Sequence, residues 1–283
     1  MEKAVKKYWP LFLLPTLAAF TLGFLVPFAQ GLFLSFCRFT TLNNAVWNGL
    51  ENYAYALRDP EFVHALWFTV RFTAVCVVLI NLFGLALALA LTRGLRGTGL
   101  FRAIYFLPNL IGGIVLGYIW QILLNALLTR LGQPLLALNP TAGFWGLAAV
   151  QCWQQTGYMM VIYIAGLQAI PEDYLEAARI DGANSWQLLW RIRLPNLMPS
   201  ITICTFLTLT NSFKLFDQNL ALTAGEPAHA SELLALNIYN TFYSRSGPQW
   251  KGYGQAKAAL FCLMVVALAA VQLRATRSRE VQQ

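Results

Sequence analysis

Charged side chains are scarce in this sequence. Asp, Glu, Lys and Arg make up 11% of its 283 residues, whereas soluble domains carry about a quarter. Hydrophobic residues reach 58%. This balance excludes an ordinary soluble domain and indicates a membrane protein. The formal net charge of +8 comes from basic residues that lie between the apolar runs, so it does not indicate a nucleic-acid-binding surface.

The sequence also lacks the motifs of several chemical functions. Its five cysteines show no C-x-x-C or Cys/His spacing, which excludes a zinc module and a disulfide framework. His64 and His229 stand far apart without ligand-like neighbours, so no metal site is expected. There is no G-x-x-x-x-G-K-[ST] loop, so the chain is not expected to hydrolyse ATP. We therefore expect no cofactor in this chain.

Long charge-free runs predict an all-α membrane protein with six transmembrane helices. A helix needs about 20 apolar residues to cross the hydrocarbon layer, and these runs are too long for membrane strands of about 9 to 11 residues. The run that begins at Leu131 is too long for one helix, and Pro134 and Pro140 break its first part. An uncleaved first span is favoured over a signal peptide, because its apolar stretch is long and lacks an A-x-A site. The predicted spans are 11–36, 65–92, 102–128, 142–170, 196–217 and 252–274, within one membrane domain over 1–283.

The positions of the basic residues support this count. Lys and Arg collect in the short cytoplasmic loops of membrane proteins. With both termini in the cytoplasm, 12 of the 20 Lys and Arg residues fall on the inner side. These are Lys3, Lys6, Lys7, Arg93, Arg96, Arg102, Arg179, Arg191, Arg193, Arg274, Arg277 and Arg279. The short apolar segment Leu233–Ser244 is too short for a crossing and is predicted to be an interfacial or re-entrant helix.

The predicted inner loop 171–195, between the fourth and fifth spans, should form two short helices. The first is expected over Glu172–Asp181 and stops at Gly182, which permits a left-handed backbone. Ser185 can cap the second helix, and Pro195 should end it. A helical hairpin is therefore expected on the inner face.

The letters of this hairpin resemble, in full, the E-A-A-x3-G-x9-I-x-L-P signature of permease subunits of binding-protein-dependent ABC importers. Seven fixed positions with frequencies of roughly 5 to 10% each arise by chance on the order of once in 10^8 starts. An amphipathic loop on the lipid headgroups, which Trp186 and Trp190 would also suit, is the less favoured alternative. The matching residues are Glu176, Ala177, Ala178, Gly182, Ile192, Leu194 and Pro195.

This resemblance implies a type I ABC importer transmembrane domain, a multi-pass protein of the bacterial cell membrane. It also implies that loop 171–195 docks in a cleft of a cytoplasmic ATPase, so that these signature residues couple ATP hydrolysis to movement of the membrane helices. The implied partners are a second permease subunit, two ATPase subunits that bind the ATP, an extracellular or periplasmic solute-binding protein, and membrane lipid. Nucleic acid is not among them.

Further segments resemble carbohydrate-importing permeases of the maltose and glycerol-phosphate type. Gly49–Tyr53 is similar to their G-L-x-N-[YF] segment, and Phe213–Asp217 matches F-K-x-F-D. Leu222–Pro227 is similar to L-T-x-G-G-P, with Glu226 in place of the second glycine. Gly252–Ala256 resembles the G-Y-A-x-A start of their last span. The resemblance therefore implies import of a sugar or related carbohydrate.

Polar side chains follow one face of the fourth predicted span and one face of the fifth. Polar groups are unfavourable in a membrane bundle unless they face partners or a wet path. By ungapped alignment from the loop glutamate, most of them coincide with the positions that line the sugar site of the maltose-type permease. Hydrogen bonding between helices is an equally weighted alternative, and the partner subunit could hold the solute instead. The candidate pathway residues are Gln151, Gln154, Gln155, Tyr158, Thr208, Asn211, Ser212 and Leu215.

Two smaller features carry structural expectations. Lys214 and Asp217 stand three residues apart and are expected to pair with each other rather than bind cargo. Gly113 and Gly117 form a G-x-x-x-G pattern that fits close helix packing.

Two alternative functions stay open on the sequence alone. The same machinery could carry amino acids, peptides or ions, because the loop signature does not fix the cargo. A membrane-embedded enzyme is less favoured, because the spans hold glutamines and hydroxyls without paired carboxylates or histidines.

Overall fold

A computed structural model describes Trp9, residues 13–93 and residues 96–277 of the chain, with the backbone alone at 276 and 277. The predicted inner positions of Lys3, Lys6, Lys7 and Arg279 lie outside these residues, as does the start of the first predicted span. The described residues form two compact units. One contains the described part of 1–62 together with 238–262, and the other contains that of 63–237 and 263–283.

The first unit consists of an apolar helix, a short hairpin, a second, shorter helix and parts of three further helices. The hairpin pairs Cys37 with Trp47 and Arg38 with Val46 in antiparallel register. Its elements are α1 (Leu13–Leu34, with a π-helical turn at Thr21–Leu25), β1 (Cys37–Arg38), a 3-10 turn (Leu42–Asn44), β2 (Val46–Trp47), α2 (Glu51–Arg58), the start of α3 (Pro60–Leu91), the end of α11 (Leu234–Tyr239, extended by a π-helical turn at Asn240–Ser244) and the first part of α12 (Pro248–Arg277).

Two of the segments that resemble carbohydrate-importing permeases, Gly49–Tyr53 and Gly252–Ala256, contact the same stretch of backbone in this unit. The Asn52 amide donates to the carbonyls of Ser35 at 2.8 Å and Cys37 at 2.9 Å, which holds the chain where it leaves α1. A methyl group at Gly252 would lie 2.3 Å from the Cys37 carbonyl oxygen. Because such a contact is far inside van der Waals separation, the glycine allows α12 to pack directly on this backbone.

The second unit is a helical bundle around a buried apolar cluster. Phe72 and Ile80 of α3 pack there with Met159 and Tyr163 of the long helix that follows Pro140, and all four are almost completely buried. Besides the rest of α3, α11 and α12, its elements are α4 (Thr98–Phe106), a 3-10 turn (Leu107–Leu110), α5 (Gly113–Arg130), a 3-10 turn (Leu136–Leu138), α6 (Pro140–Gln168), α7 (Glu172–Ile180), α8 (Ser185–Asn196, with a π-helical turn at Leu189–Arg193), α9 (Met198–Phe213) and α10 (Asp217–Leu222).

Within the described residues, four helices are long and apolar enough to cross a membrane: Leu13–Leu34, Pro60–Leu91, Gly113–Arg130 and Pro248–Ala275. A fifth is added if Ser185–Asn196 and Met198–Phe213, bent by 69°, act as one span. The predicted fourth span corresponds to α6, which has 29 residues. Its glutamines lower its mean hydropathy, so length and composition do not single it out as a crossing.

The predicted third span, 102–128, is not one helix. It is divided into α4 and α5 by the 3-10 turn Leu107–Leu110 and an extended backbone at Ile111 and Gly112. Pro108 has no N–H to donate to the preceding turn, and glycine favours a break, so the interruption has a local cause.

The predicted helical hairpin is present, with different caps. Its first helix ends at Ile180, and Gly182 adopts the expected left-handed backbone with a φ of +81°. The second helix is capped by Asn184 rather than Ser185: the Asn184 side chain accepts from the Gln187 N–H, and the Gln187 side chain accepts from the Asn184 N–H. Asn, like Ser, is a strong capping residue, and this reciprocal pair selects the earlier position.

Candidate solute cavity and coupling loop

A cavity of about 330 Å³ lies between α5, α6 and the region where α9 passes into α10. Five of the eight predicted pathway residues line it: Gln151, Gln154, Gln155, Asn211 and Leu215. They converge because the glutamines occupy one face of α6, while Asn211 lies at the end of α9 and Leu215 in the short segment that joins α9 to α10. The two faces predicted separately from the sequence thus share one cavity.

The remaining three predicted residues do not line this cavity. Thr208 is fully buried, donates to the Cys204 carbonyl at 2.7 Å and lies 3.4 Å from the Asn81 amide. Asn81 also accepts from the Tyr163 hydroxyl at 2.7 Å. These contacts join α3, α6 and α9, so Thr208 takes part in interhelical hydrogen bonding.

Ser212 and Tyr158 also face protein. Ser212 is fully buried, and Tyr158 is half-buried with its ring 6.4 Å from the ring of Phe106. The structure thus divides the predicted polar set between the cavity wall and the packing of the bundle.

Gln218 is a cavity residue that the sequence analysis missed. It is the second residue of α10. Its side chain lines the cavity and is 1% exposed. Its Nε2 donates to Oε1 of Gln154, and Nε2 of Gln154 donates to the Ile111 carbonyl at 2.9 Å. The only available sequence signal was its place directly after the F-K-x-F-D segment.

The cavity wall is fixed by close packing of α10 on α5. A methyl group at Gly117 would lie 2.6 Å from the Cβ of Ala221, and one at Gly113 would lie 2.8 Å from the Cβ of Asp217. The expectation of close packing at the G-x-x-x-G pattern is therefore confirmed. The expected Lys214–Asp217 ion pair is wrong: it is absent from the ion pairs of the described residues, and both side chains are exposed at the cavity.

The hairpin formed by α7 and α8 presents an exposed apolar surface. Ile180 is 86% exposed, Trp186 68% and Trp190 54%, and the two indole rings lie 5.4 Å apart. Exposed large apolar side chains of this density indicate a contact surface for protein or membrane.

The signature residues occupy both helices of this hairpin. Glu176 and Ala177 are exposed on α7, whereas Ala178 is half-buried. Ile192, Leu194 and Pro195 are half-buried in α8, and the Ile192 carbonyl accepts from the Asn196 amide at 2.7 Å. Glu176 also lines a cavity of about 440 Å³ with Glu172, Arg179 and Arg193, so the wall of this cavity carries charges of both signs.

The comparison with protein families decides the identity of the chain. A model described as the inner membrane component of binding-protein-dependent transport systems matches residues 97–278, which include the whole hairpin and both faces of the solute cavity. The chain belongs to this family of ABC importer permeases. As an inner membrane component, the permease resides in the bacterial plasma membrane.

Full-length relatives agree with this assignment. The permease is 42% identical to the probable starch degradation products transport system permease protein AmyD of Thermoanaerobacterium thermosulfurigenes, over 97% of its own length and 95% of that protein. It is 32% identical to the multiple sugar-binding transport system permease protein MsmF of Streptococcus mutans, over 99% of both chains. Both relatives are named as permeases, which supports the expectation that this chain is not an enzyme.

A solved structure shows the same fold. A bacterial ABC transporter involved in the import of the acidic polysaccharide alginate contains a chain that matches the permease with a TM-score of 0.82, over 98% of both chains. At 19% sequence identity this likeness concerns the fold alone.

Proposed function

We propose that the permease forms half of the translocation pathway for a sugar and is driven by a cytoplasmic ATPase that docks on loop 171–195. The observation that carries the cargo assignment is the amide-lined cavity in the bundle, because amide groups and hydroxyls form neutral hydrogen bonds with sugar hydroxyls. The names of the two relatives, which refer to starch degradation products and to multiple sugars, support a carbohydrate.

The proposed assembly contains a second permease subunit, two ATPase subunits that bind ATP, and an external solute-binding protein. In this assembly the permease crosses the membrane six times with both termini in the cytoplasm. Length and composition support four of these crossings. We propose that α6 and the bent pair α8–α9 form the other two. Membrane-impermeant thiol labelling of cysteines placed at Ser185 and Gln133 checks this topology, since the two positions should be reached from opposite sides.

The cargo assignment is tested by uptake. A strain lacking this gene should lose accumulation of labelled maltotriose and regain it when the gene is returned. Unchanged sugar uptake together with loss of amino-acid or peptide uptake would contradict the sugar assignment and leave the ATPase coupling intact.

The coupling role can be tested with two glycines that end helices in the same way. Gly182 follows α7 with a φ of +81° and donates its N–H to the Arg179 carbonyl at 3.0 Å. Gly132 follows α5 with a φ of +67° and donates to the Thr129 carbonyl at 3.1 Å. Proline can neither adopt a positive φ nor donate this hydrogen bond, so it disturbs both turns equally.

We expect Gly182→Pro to abolish sugar uptake while membrane insertion persists, because the hairpin that meets the ATPase is displaced. Gly132→Pro should retain most of the uptake, because its turn lies outside loop 171–195. Glu176→Lys, which reverses an exposed charge on α7, should also uncouple ATP hydrolysis from transport. Equal uptake by the two proline variants, normalised to permease in the membrane, would contradict the coupling role.

A further inference from the structure

Gln218 lines the solute cavity and carries an unsatisfied acceptor. Its side chain is 1% exposed, and within the described residues no donor contacts its Oε1. A buried carbonyl oxygen without a donor is unfavourable unless something else supplies the hydrogen bond. Because Gln218 lines the cavity, a bound solute can supply it.

The orientation of the Gln218 amide is fixed by its neighbours. The Ile111 carbonyl oxygen can only accept, so the Gln154 group 2.9 Å from it must be the Nε2 donor. Gln154 therefore directs its Oε1 toward Gln218, whose Nε2 donates to it. This chain of two bonds uses one N–H of Gln218 and leaves its Oε1 as an acceptor without a donor.

The backbone that carries Gln218 is held equally firmly. A methyl group at Gly117 would lie 3.5 Å from the Gln218 Cα and carbonyl oxygen, so α10 rests directly on α5. The Gln121 amide donates to the Leu222 carbonyl at 3.1 Å and fixes the far end of α10. The acceptor is therefore preorganised, which reduces the loss of conformational freedom on binding.

The rest of the cavity wall favours the same kind of ligand. Oε1 of Gln151 and Oε1 of Gln155 are also buried without a donor within the described residues. The charged residues on the wall are Lys214 and Asp217, which have opposite signs and are both exposed. A phosphate or carboxylate cannot donate to these three oxygens and gains no net counter-charge, whereas hydroxyl groups can donate to all three.

We propose that Gln218 is a specificity-determining residue of the cavity, presenting a fixed acceptor to a hydroxyl of a neutral sugar and disfavouring phosphorylated or uronic sugars. This inference rests on the proposed function, since it assumes that the cavity belongs to a sugar pathway. Gln154 is a positioning residue, which acts through Gln218.

The experiment uses the complete transporter, purified with its partner permease and ATPases in lipid nanodiscs. Binding is measured by saturation-transfer NMR with maltotriose, trehalose and raffinose as neutral probes, and with sn-glycerol-3-phosphate and trigalacturonate as anionic probes. The variants are Gln218→Leu, Gln154→Leu and the double variant. Gln272→Leu is the matched control, because Gln272 is a buried glutamine outside the cavity whose amide donates to the Thr202 carbonyl at 3.2 Å.

We expect Gln218→Leu to weaken binding of the neutral sugar about tenfold, or ~1.4 kcal/mol, while Gln272→Leu leaves it unchanged. Gln154→Leu should weaken it to a similar extent but add little in the double variant, because the two residues act as one unit. If Gln218→Leu does not assemble, Gln218→Asn replaces it. The shorter side chain of Gln218→Asn cannot meet Gln154 and reach the cavity together, so it should give the same weakening.

Two results overturn the inference. If a Gln218 variant that assembles binds the neutral sugars as tightly as the wild type, the inference about Gln218 is wrong. The proposed sugar pathway is not contradicted by that result. Failure of the wild type to bind any of the three neutral sugars, with binding of an anionic probe, would overturn the inference together with the neutral-sugar cargo. Fully additive effects of Gln218→Leu and Gln154→Leu would remove the positioning role of Gln154.

Discussion

Lys257 and Asp59 form a buried ion pair in the first unit. The Lys257 Nζ lies 2.7 Å from Oδ2 of Asp59 and 2.8 Å from the Thr241 hydroxyl. Their side chains are 0% and 5% exposed. The ammonium also lies 5.4 Å from the centre of the Phe62 ring. A lysine inside a helix that is long and apolar enough to cross a membrane needs such a partner, so each charge depends on the other.

The geometry sets the expected magnitude. At 2.7 Å and an effective dielectric constant of about 20, the attraction is about 6 kcal/mol. Removing both ions from water is unfavourable by several kcal/mol each, so the pair contributes little net stability. Removing one partner leaves the other charge buried without its counter-charge in this pair, which lowers the free energy of unfolding by about 3–5 kcal/mol.

We therefore expect Lys257→Met and Asp59→Asn each to lower the free energy of unfolding by about 3–5 kcal/mol, and the double variant to recover most of this loss. Asn is chosen because Oδ1 of Asp59 also accepts from the Glu61 N–H at 3.1 Å, and an amide oxygen can keep that bond. The assay is denaturant unfolding of the assembled transporter in detergent, followed by tryptophan fluorescence. A double variant no more stable than the worse single variant would refute the reasoning.

Two further predictions follow from the packing. Gly252→Ala should destabilise the first unit, because its methyl group would lie 2.3 Å from the Cys37 carbonyl oxygen. Gly23→Ala is the control and should be neutral, because its methyl group would meet no atom within 4 Å. Equal melting temperatures of the two variants would contradict this prediction. Asn81→Leu should lower the free energy of unfolding by about 1–3 kcal/mol, because the buried Tyr163 hydroxyl loses its acceptor. Adding Tyr163→Phe should restore part of the loss, and failure to do so would show that this hydrogen bond is not the cause.

Several parts of the fold could be predicted from local sequence because their causes are local. The run of apolar residues that becomes α1 and the left-handed turn at Gly182 depend only on neighbouring residues. The break before α5 had a readable cause in Pro108 and Gly112, yet hydropathy alone joined the two helices into one span. The Asn184 cap was missed because two adjacent residues can both cap a helix, and the side chain at Gln187 selects between them.

The sequence by itself determined the membrane class, the helical bundle and the permease family, because hydropathy and the spacing of the loop signature are properties of the chain read in order. Only the tertiary structure decided which polar residues share a cavity. Gln151 and Asn211 both line the cavity, whereas Thr208 contacts Asn81 instead. Gln218 also lines the cavity, from a short helix that hydropathy does not predict. Such contacts depend on the rotation of each helix and on the close approach of α10 to α5, and no periodicity within a single helix records the position of its neighbour.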